Sequence, residues 1–185
     1  WTCKNISQEK YKGIILNNDS WFNIDTGTSS KEYSPVDKKD KKKYIESVLS
    51  YKKFNYEFES KPKASEVYDL MGKAYENFEK IRQKINWISN TIIILKTNDI
   101  NNEELMVGIS CNGKGINKIN ENTLRKLEQY MVISLDIRLL KWLLIGPQKA
   151  NWSNADLGSH LKYDRVGSVY KRGLFYCLNH FFNAR

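Results

Sequence analysis

Residues 91–119 have the sequence TIIILKTNDINNEELMVGISCNGKGINKI, in which apolar runs alternate with short polar turns. The run at 91–97 is rich in β-branched residues and the run at 105–111 is apolar over a similar length, so both are predicted to be strands. The sequence NGKG at 112–115 predicts a tight turn into a third strand at 116–119. Because short turns join these strands, we expect antiparallel pairing.

Helical periodicity on both sides of this stretch predicts the layer that covers the sheet. Apolar residues keep helical spacing throughout 65–85, the clearest helix of the chain. A lysine-rich helix is predicted at 37–50, with its apolar residues on one face and the lysine run at 38–43 on the solvated face. Residues 54–58 alternate in polarity, as a strand does. Further helices are predicted at 122–130, 135–145 and 168–182, and further strands at 131–134 and 157–163.

Together these elements predict an α+β fold in which helices cover a mixed or antiparallel sheet. The first part of the chain is less regular, with short strands expected near 14–16 and 20–22 and a polar loop at 26–34. We therefore predict an irregular N-terminal arm over 1–35 and a single domain over 36–185. Because the sequence starts without Met, we expect a fragment, a processed product or a chain that lacks its true start.

The chain is basic, with 30 lysines and arginines against 21 aspartates and glutamates and a net charge of +9. This excess favours anionic partners such as nucleic acid, an acidic membrane surface or an acidic protein. Abundant Lys, Asn and Ile are also typical of an AT-rich genome, so both interpretations stay open. Three isolated cysteines (Cys3, Cys111 and Cys177) form no metal or redox motif and indicate reduced thiols and a cytoplasmic location. No apolar run approaches the roughly 18 residues of a membrane span.

Residues that could carry catalysis are few and scattered. His160 and His180 lack the spacing that puts two ligands on one metal. Asp156 precedes His160 by one helical turn and could orient its imidazole, although a structural or surface histidine is the commoner case. A Cys177–His180 pair could share a helical face, but apolar neighbours should raise the thiol pKa and disable it. The turn at 112–115 could cradle a phosphate, and a plain hairpin turn is the commoner explanation. We therefore predict no catalytic residue, metal site or cofactor. Whether the chain is part of an enzyme stays open.

The most specific stretch is LLKWLLIGPQKANWSNADLGSHLKYDR at 139–165. An apolar helix stops at Gly146, a turn containing Trp152 follows, and Gly158 precedes an outgoing strand. This order resembles the helix–turn–strand corner of sterol-carrier-type domains, which are α+β folds whose helices cover one face of a curved sheet and can enclose an apolar pocket. With the aromatic helix that follows, residues 122–182 resemble the C-terminal region of metallo-β-lactamase-fold proteins of the UlaG and CMP-N-acetylneuraminate hydroxylase type.

The resemblance implies a non-catalytic accessory domain that gives packing, oligomer or pocket contacts to a metal-dependent hydrolase. The metal cluster of that family, H-x-H-x-D-H, has no counterpart in this sequence, so no family catalytic residue is carried over. The partners that it implies are another domain, another subunit or a second copy of the chain. The candidate binding residues are Trp142, Trp152, Asn154, Asp156, His160, Arg165 and Tyr176.

The second hypothesis is a basic nucleic-acid-binding or ribonucleoprotein-associated subunit. Basic and aromatic residues interleave loosely at 52–56 and at 163–172, and proteins that stack bases on aromatic rings use such combinations. No RNP, KH or helix-turn-helix pattern accompanies them. Core aromatics flanked by surface lysines are the commoner explanation of these stretches.

Overall fold

The computed structural model describes residues 14, 16–17, 19–35, 37–167 and 171–183. The chain divides into two compact units, Trp1–Lys52 and Lys53–Arg185. Helix 37–50, which the sequence groups with the larger domain, lies in the first unit. The assignment of an arm over 1–35 and a domain over 36–185 stays a prediction.

The first unit contains a small hairpin and one regular helix. Strands β1 (Phe22–Asn23) and β2 (Thr28–Ser29) pair antiparallel, so part of the predicted polar loop is a strand. Helix α1 (Lys38–Ser47) is confirmed, and a 3-10 turn at Leu49–Tyr51 follows it. The strand predicted near 14–16 lies partly outside the described residues.

The second unit is built on a five-stranded mixed sheet. Its strands are β3 (Ile92–Asn98), β4 (Glu104–Ser110), β5 (Ile116–Lys118), β6 (Tyr130–Ser134) and β7 (Lys162–Val166). Their spatial order is β5-β4-β3-β6-β7, in which β3 and β6 are parallel and the other neighbours are antiparallel. The three strands predicted within residues 91–119 are confirmed, and they pair antiparallel.

The helices of this unit are α2 (Ala64–Lys84), α3 (Glu121–Leu124), α4 (Ile137–Ile145), α5 (Trp152–Leu157) and α6 (Arg172–Leu178). Helix α4 starts two residues later than predicted because the Asp136 carboxylate caps it, accepting a hydrogen bond from the Arg138 backbone N–H at 2.8 Å. Its last residue is Ile145, and its C-cap is Gly146, whose φ of 118° favours glycine. The α+β class with a mixed sheet covered by helices is confirmed.

The two faces of the sheet are covered differently. One face packs on the main core, which includes Phe78 of α2, Leu140 of α4 and Phe181 near the C-terminal end. The opposite face carries a small cluster of Ile94, Met106 and Val132, covered by partly buried apolar residues. Because these covering residues are only partly buried, the second face is thinly covered within this unit. The residues of helix α1, which was predicted to cover the sheet, are all exposed.

Three local predictions differ from the structure in type or in bounds. Residues 54–58 form a 3-10 turn at Asn55–Phe58, because the Phe54 backbone N–H donates to the Glu57 carboxylate at 2.7 Å and closes the turn. The helix predicted at 122–130 ends at Leu124, since the chain must turn and enter β6 at Tyr130.

The third is the strand predicted at 157–163, which is replaced by α5 and the later strand β7. The Asn151 side chain caps α5 by accepting from the Asn154 backbone N–H at 2.8 Å, and Trp152 and Ala155 bury its inner face. The helix predicted at 168–182 is confirmed over Arg172–Leu178, while 168–170 lie outside the described residues. Within the described part of the chain, no helix has the length and apolarity needed to cross a bilayer.

Candidate binding site

Two predicted binding residues meet in an aromatic cluster formed by Phe54, Tyr56, Trp142 and His160. His160 Nδ1 lies 3.2 Å from the Tyr56 hydroxyl oxygen, and the Phe54 ring meets the imidazole edge-on with centroids 4.4 Å apart. Trp142 packs edge-on against Tyr56 at 6.3 Å. Because aromatic rings and one hydroxyl surround the imidazole, this arrangement is typical of a structural histidine.

Two more predicted residues, Trp152 and Asp156, line a cleft of about 330 Å³ that we call the α5–β7–α6 cleft. Trp152 is buried and its indole N–H donates to the Phe181 carbonyl oxygen at 3.0 Å. The Asp156 carboxylate bonds to Tyr163, and burial together with this bond raises the pKa of the Tyr163 hydroxyl. Asp156 therefore engages Tyr163 and not His160, because α5 ends before it could place the two on one helical face.

The remaining predicted residues are distributed over the surface. The Arg165 guanidinium lies over the Tyr163 ring, 4.8 Å from its centroid. Asn154 is exposed on α5, and the Tyr176 ring meets His180 edge-on with centroids 5.3 Å apart. The structure therefore does not join the seven residues into one site, and their binding role stays a prediction.

The cysteines of the described chain are buried thiols. Burial raises the pKa of Cys111 to about 12 and that of Cys177 to about 11. Both are therefore protonated at neutral pH, as the sequence predicts for Cys177. Among the described residues, no group of three His, Cys, Asp or Glu side chains could hold a metal ion.

A larger cleft lies against the thinly covered face of the sheet. It has a volume of about 400 Å³, and we call it the sheet-face cleft. Its apolar lining comes from Ile92 and Gly108 of neighbouring strands and from Ile119 and Leu127 of the segment that crosses above them. A Cβ at Gly108 would overlap Ile119 Cδ1 and lie 3.2 Å from Ile92 Cγ2. The glycine therefore lets Ile119 lie directly on the sheet and form the cleft floor.

One end of the sheet-face cleft is polar. The buried Ser89 hydroxyl donates to Thr91 Oγ1 at 3.0 Å and accepts from the Lys171 ammonium at 3.0 Å. Among the described lining residues, every charged side chain is a lysine, namely Lys114 and Lys118. The Lys118 ammonium lies over the Tyr68 ring, 5.1 Å from its centroid, which leaves the exposed Lys114 as the rim cation that a ligand could meet.

The turn at 112–115 borders this cleft but is not a phosphate cradle. The backbone N–H groups of Asn112 and Lys114 donate to Ser110 Oγ at 3.3 and 3.0 Å, and that of Gly115 donates to the Tyr75 hydroxyl at 3.2 Å. Since these donors already have partners, they are not aimed at an anion. The hairpin-turn interpretation, with Gly113 and Gly115 at φ of 87°, accounts for the sequence.

The basic and aromatic stretches proposed for nucleic acid have mixed environments. Tyr56 is buried in the aromatic cluster, so it offers no free face for stacking. Tyr163 is half-buried and covered by Arg165, and Tyr170 lies outside the described residues. These contacts favour structural roles for the described aromatics, and nucleic-acid binding stays a prediction.

Sequence reasoning missed the sheet-face cleft. Its lining residues lie in three stretches of the chain, at 89–92, 108–119 and 123–127, and the first comes together with the other two only in the folded chain. One local signal was present: Gly108 is an isolated glycine within an apolar strand, which indicates close approach of another part of the chain.

No protein-family model and no curated protein matches this chain. Sterol Carrier Protein 2 from Yarrowia lipolytica, in its apo form, is similar at 16% identity with a TM-score of 0.39, covering 64% of this chain and 91% of its own. A conserved hypothetical protein of Thermus thermophilus, described as a possible sterol carrier protein, is similar at 10% identity with a TM-score of 0.42. The similarity covers 66% of this chain and 89% of that protein. Sterol-carrier-type structures are thus among the solved structures to which this chain is similar. Neither similarity connects the chain with metallo-β-lactamase-fold proteins.

Proposed function

We propose that this chain is a non-catalytic binding domain that holds a small amphipathic, anionic ligand in the sheet-face cleft. The observation that carries the proposal is the combination of an apolar floor with a lysine at the rim of a cleft of about 400 Å³. Ligand sites are typically concave, mainly apolar and provided with a few polar groups, within a range of roughly 300–1,000 Å³.

The expected position of the ligand follows from the lining. Its apolar part would lie on Ile92, Ile119 and Leu127, where burial removes apolar surface from water. Its anionic group would face Lys114, whose ammonium can pair with a carboxylate or a phosphate. The ligand class is therefore a short lipid-like acid.

A non-catalytic role is supported by the chemistry of the described side chains. The Cys111 and Cys177 thiols are buried and protonated, and the His160 imidazole is packed among aromatic rings. A thiol nucleophile needs a lowered pKa, whereas burial raises both of these.

Filling the cleft should weaken binding of an NBD-labelled fatty acid to the full chain. Thr123 is an exposed lining residue, so a Thr123→Trp variant places an indole at the rim with little strain on the core. We expect its Kd, measured by NBD fluorescence, to rise about tenfold or more, equivalent to about 1.4 kcal/mol.

The matched control is Ser153→Trp, which changes another exposed residue, one that lines the α5–β7–α6 cleft. It should bind the fatty acid as the wild type does. A Lys114→Gln variant should lose affinity for the acid while keeping its affinity for the methyl ester. Unchanged binding by Thr123→Trp, or loss of binding by Ser153→Trp, would contradict the proposed site.

We propose that the domain acts as an accessory to a metallo-β-lactamase-fold hydrolase, on the basis of the sequence resemblance over 122–182. In that case metal chemistry belongs to the partner polypeptide or domain. Elemental analysis of the purified 185-residue chain should find zinc and iron far below one atom per chain. A stoichiometric metal that survives dialysis would overturn this assignment.

A further inference from the structure

The segment 38–51 of the first unit exposes apolar side chains next to a run of lysines, and we call it the basic helix segment. It consists of α1 and the 3-10 turn that follows, and none of its residues is buried. Its exposed apolar residues are Tyr44 at 53%, Ile45 at 44%, Val48 at 44%, Leu49 at 45% and Tyr51 at 79%. Single exposed apolar residues are common on protein surfaces, whereas a group of them close together in one segment is not. Such a group indicates an interaction surface.

The charge of this segment is strongly positive. Its helix carries five lysines at 38, 39, 41, 42 and 43 against two carboxylates, Asp40 and Glu46. The one ion pair described within α1 joins Lys42 Nζ to Glu46 Oε1 at 3.8 Å, with side-chain exposures of 76% and 65%. An ion pair this exposed contributes little binding energy between its two side chains. The charge of Lys42 therefore remains available to a partner.

The apolar residues distinguish between anionic partners. A nucleic acid is bound through phosphates and stacked bases, and the aliphatic side chains of Ile45, Val48 and Leu49 supply neither contact. An anionic bilayer uses both features, since lysines meet the lipid headgroups while aliphatic and tyrosine side chains enter the headgroup region. Charge complementarity together with the aliphatic exposure therefore favours a lipid surface.

We propose that the basic helix segment binds the surface of anionic membranes, with α1 lying in the plane of the headgroups. The lysines at 38–43 supply the electrostatic attraction, and Tyr44, Ile45, Val48, Leu49 and Tyr51 make the apolar contact. This inference is independent of the sheet-face cleft, whose lining residues all belong to the other unit.

The test is co-sedimentation of the full chain with phosphatidylcholine vesicles with and without phosphatidylserine. Binding should require phosphatidylserine and weaken as salt is added, because salt screens the lysine charges. Each lysine near such a surface contributes a measurable attraction, so Lys41→Gln/Lys42→Gln/Lys43→Gln should weaken binding about tenfold or more. The matched control, Lys80→Gln/Lys84→Gln/Lys162→Gln, removes the same charge from the second unit and should bind nearly as the wild type does.

A second variant separates lipid from nucleic acid. Ile45→Asp/Leu49→Asp changes two exposed residues and should lose vesicle binding about tenfold or more, with circular dichroism confirming that the chain remains folded. Equal vesicle binding by this variant and the wild type would overturn the proposal. Absence of vesicle binding by the wild-type chain, together with tight binding of single-stranded RNA that the Ile45→Asp/Leu49→Asp variant retains, would also overturn it, because the lysines alone would then define the partner. Loss of vesicle binding to the same extent in the control lysine variant would show that only net charge matters and would also overturn it.

Discussion

Replacing Phe78 by alanine should lower the free energy of unfolding by about 3–5 kcal/mol, the largest effect that we expect from a single core substitution. Phe78 is fully buried on the inner face of α2. Its ring stacks on Tyr75 with centroids 5.7 Å apart and meets Phe181 edge-on at 6.0 Å. The variant loses the transfer free energy of the ring and leaves a cavity that these neighbours cannot fill without moving.

Urea unfolding followed by circular dichroism measures this loss from the midpoint and slope. Phe58→Ala is the matched control, because Phe58 is 74% exposed and the same atoms are removed. Its unfolding free energy should stay within about 0.5 kcal/mol of the wild type. Similar losses in both variants would contradict the placement of Phe78 in the core.

The second large effect is expected for Arg82→Met. The Arg82 guanidinium donates to both carboxylate oxygens of Glu79, at 2.7 and 2.6 Å, and to the Trp87 carbonyl oxygen at 2.8 Å. It is buried at 8% exposure, so its removal leaves a poorly solvated carboxylate and an unpaired carbonyl. We expect a loss of about 3–5 kcal/mol, and the double variant Glu79→Gln/Arg82→Met should recover part of it.

This pair also predicts a pH dependence. The hydrogen bonds from Arg82 hold the pKa of Glu79 below its usual range. A carboxyl with a lowered folded-state pKa stabilises the protein above its unfolded-state pKa, and that stabilisation is lost as pH falls through the folded value. The difference in unfolding free energy between the wild type and Arg82→Met should therefore become smaller as the pH falls through the folded-state pKa of Glu79. Urea unfolding midpoints of both proteins, measured at successive pH values, test this. An exposed pair gives the control, since Lys42→Met should cost no more than about 1 kcal/mol at any pH.

The parts of the fold that follow from local pattern were predictable from the sequence. Helix α2 keeps one apolar face through its full length, and β3 and β4 are apolar runs joined by a short turn. The mixed character of the sheet was left open between two alternatives, because the parallel pairing of β3 with β6 depends on residues far apart in sequence.

Short elements were harder to predict because tertiary contacts define them. Helix α5 has six residues, and its existence depends on the Asn151 cap and on the burial of Trp152. The sequence instead predicted a strand at 157–163. The candidate site was missed for a related reason. Its floor depends on Ile119 lying over Gly108, a contact between separate segments of the chain that no motif records.

We expect the sheet-face cleft, and not the α5–β7–α6 cleft, to receive the ligand. The most direct measurement is an NMR titration of the isotope-labelled chain with an unlabelled fatty acid. The proposed site predicts amide shift changes concentrated at Ile92, Gly108, Asn117, Thr123 and Leu127, which line the sheet-face cleft. Changes concentrated instead at Ser153, Asp156 and Tyr163, or no saturable change at all, would contradict it.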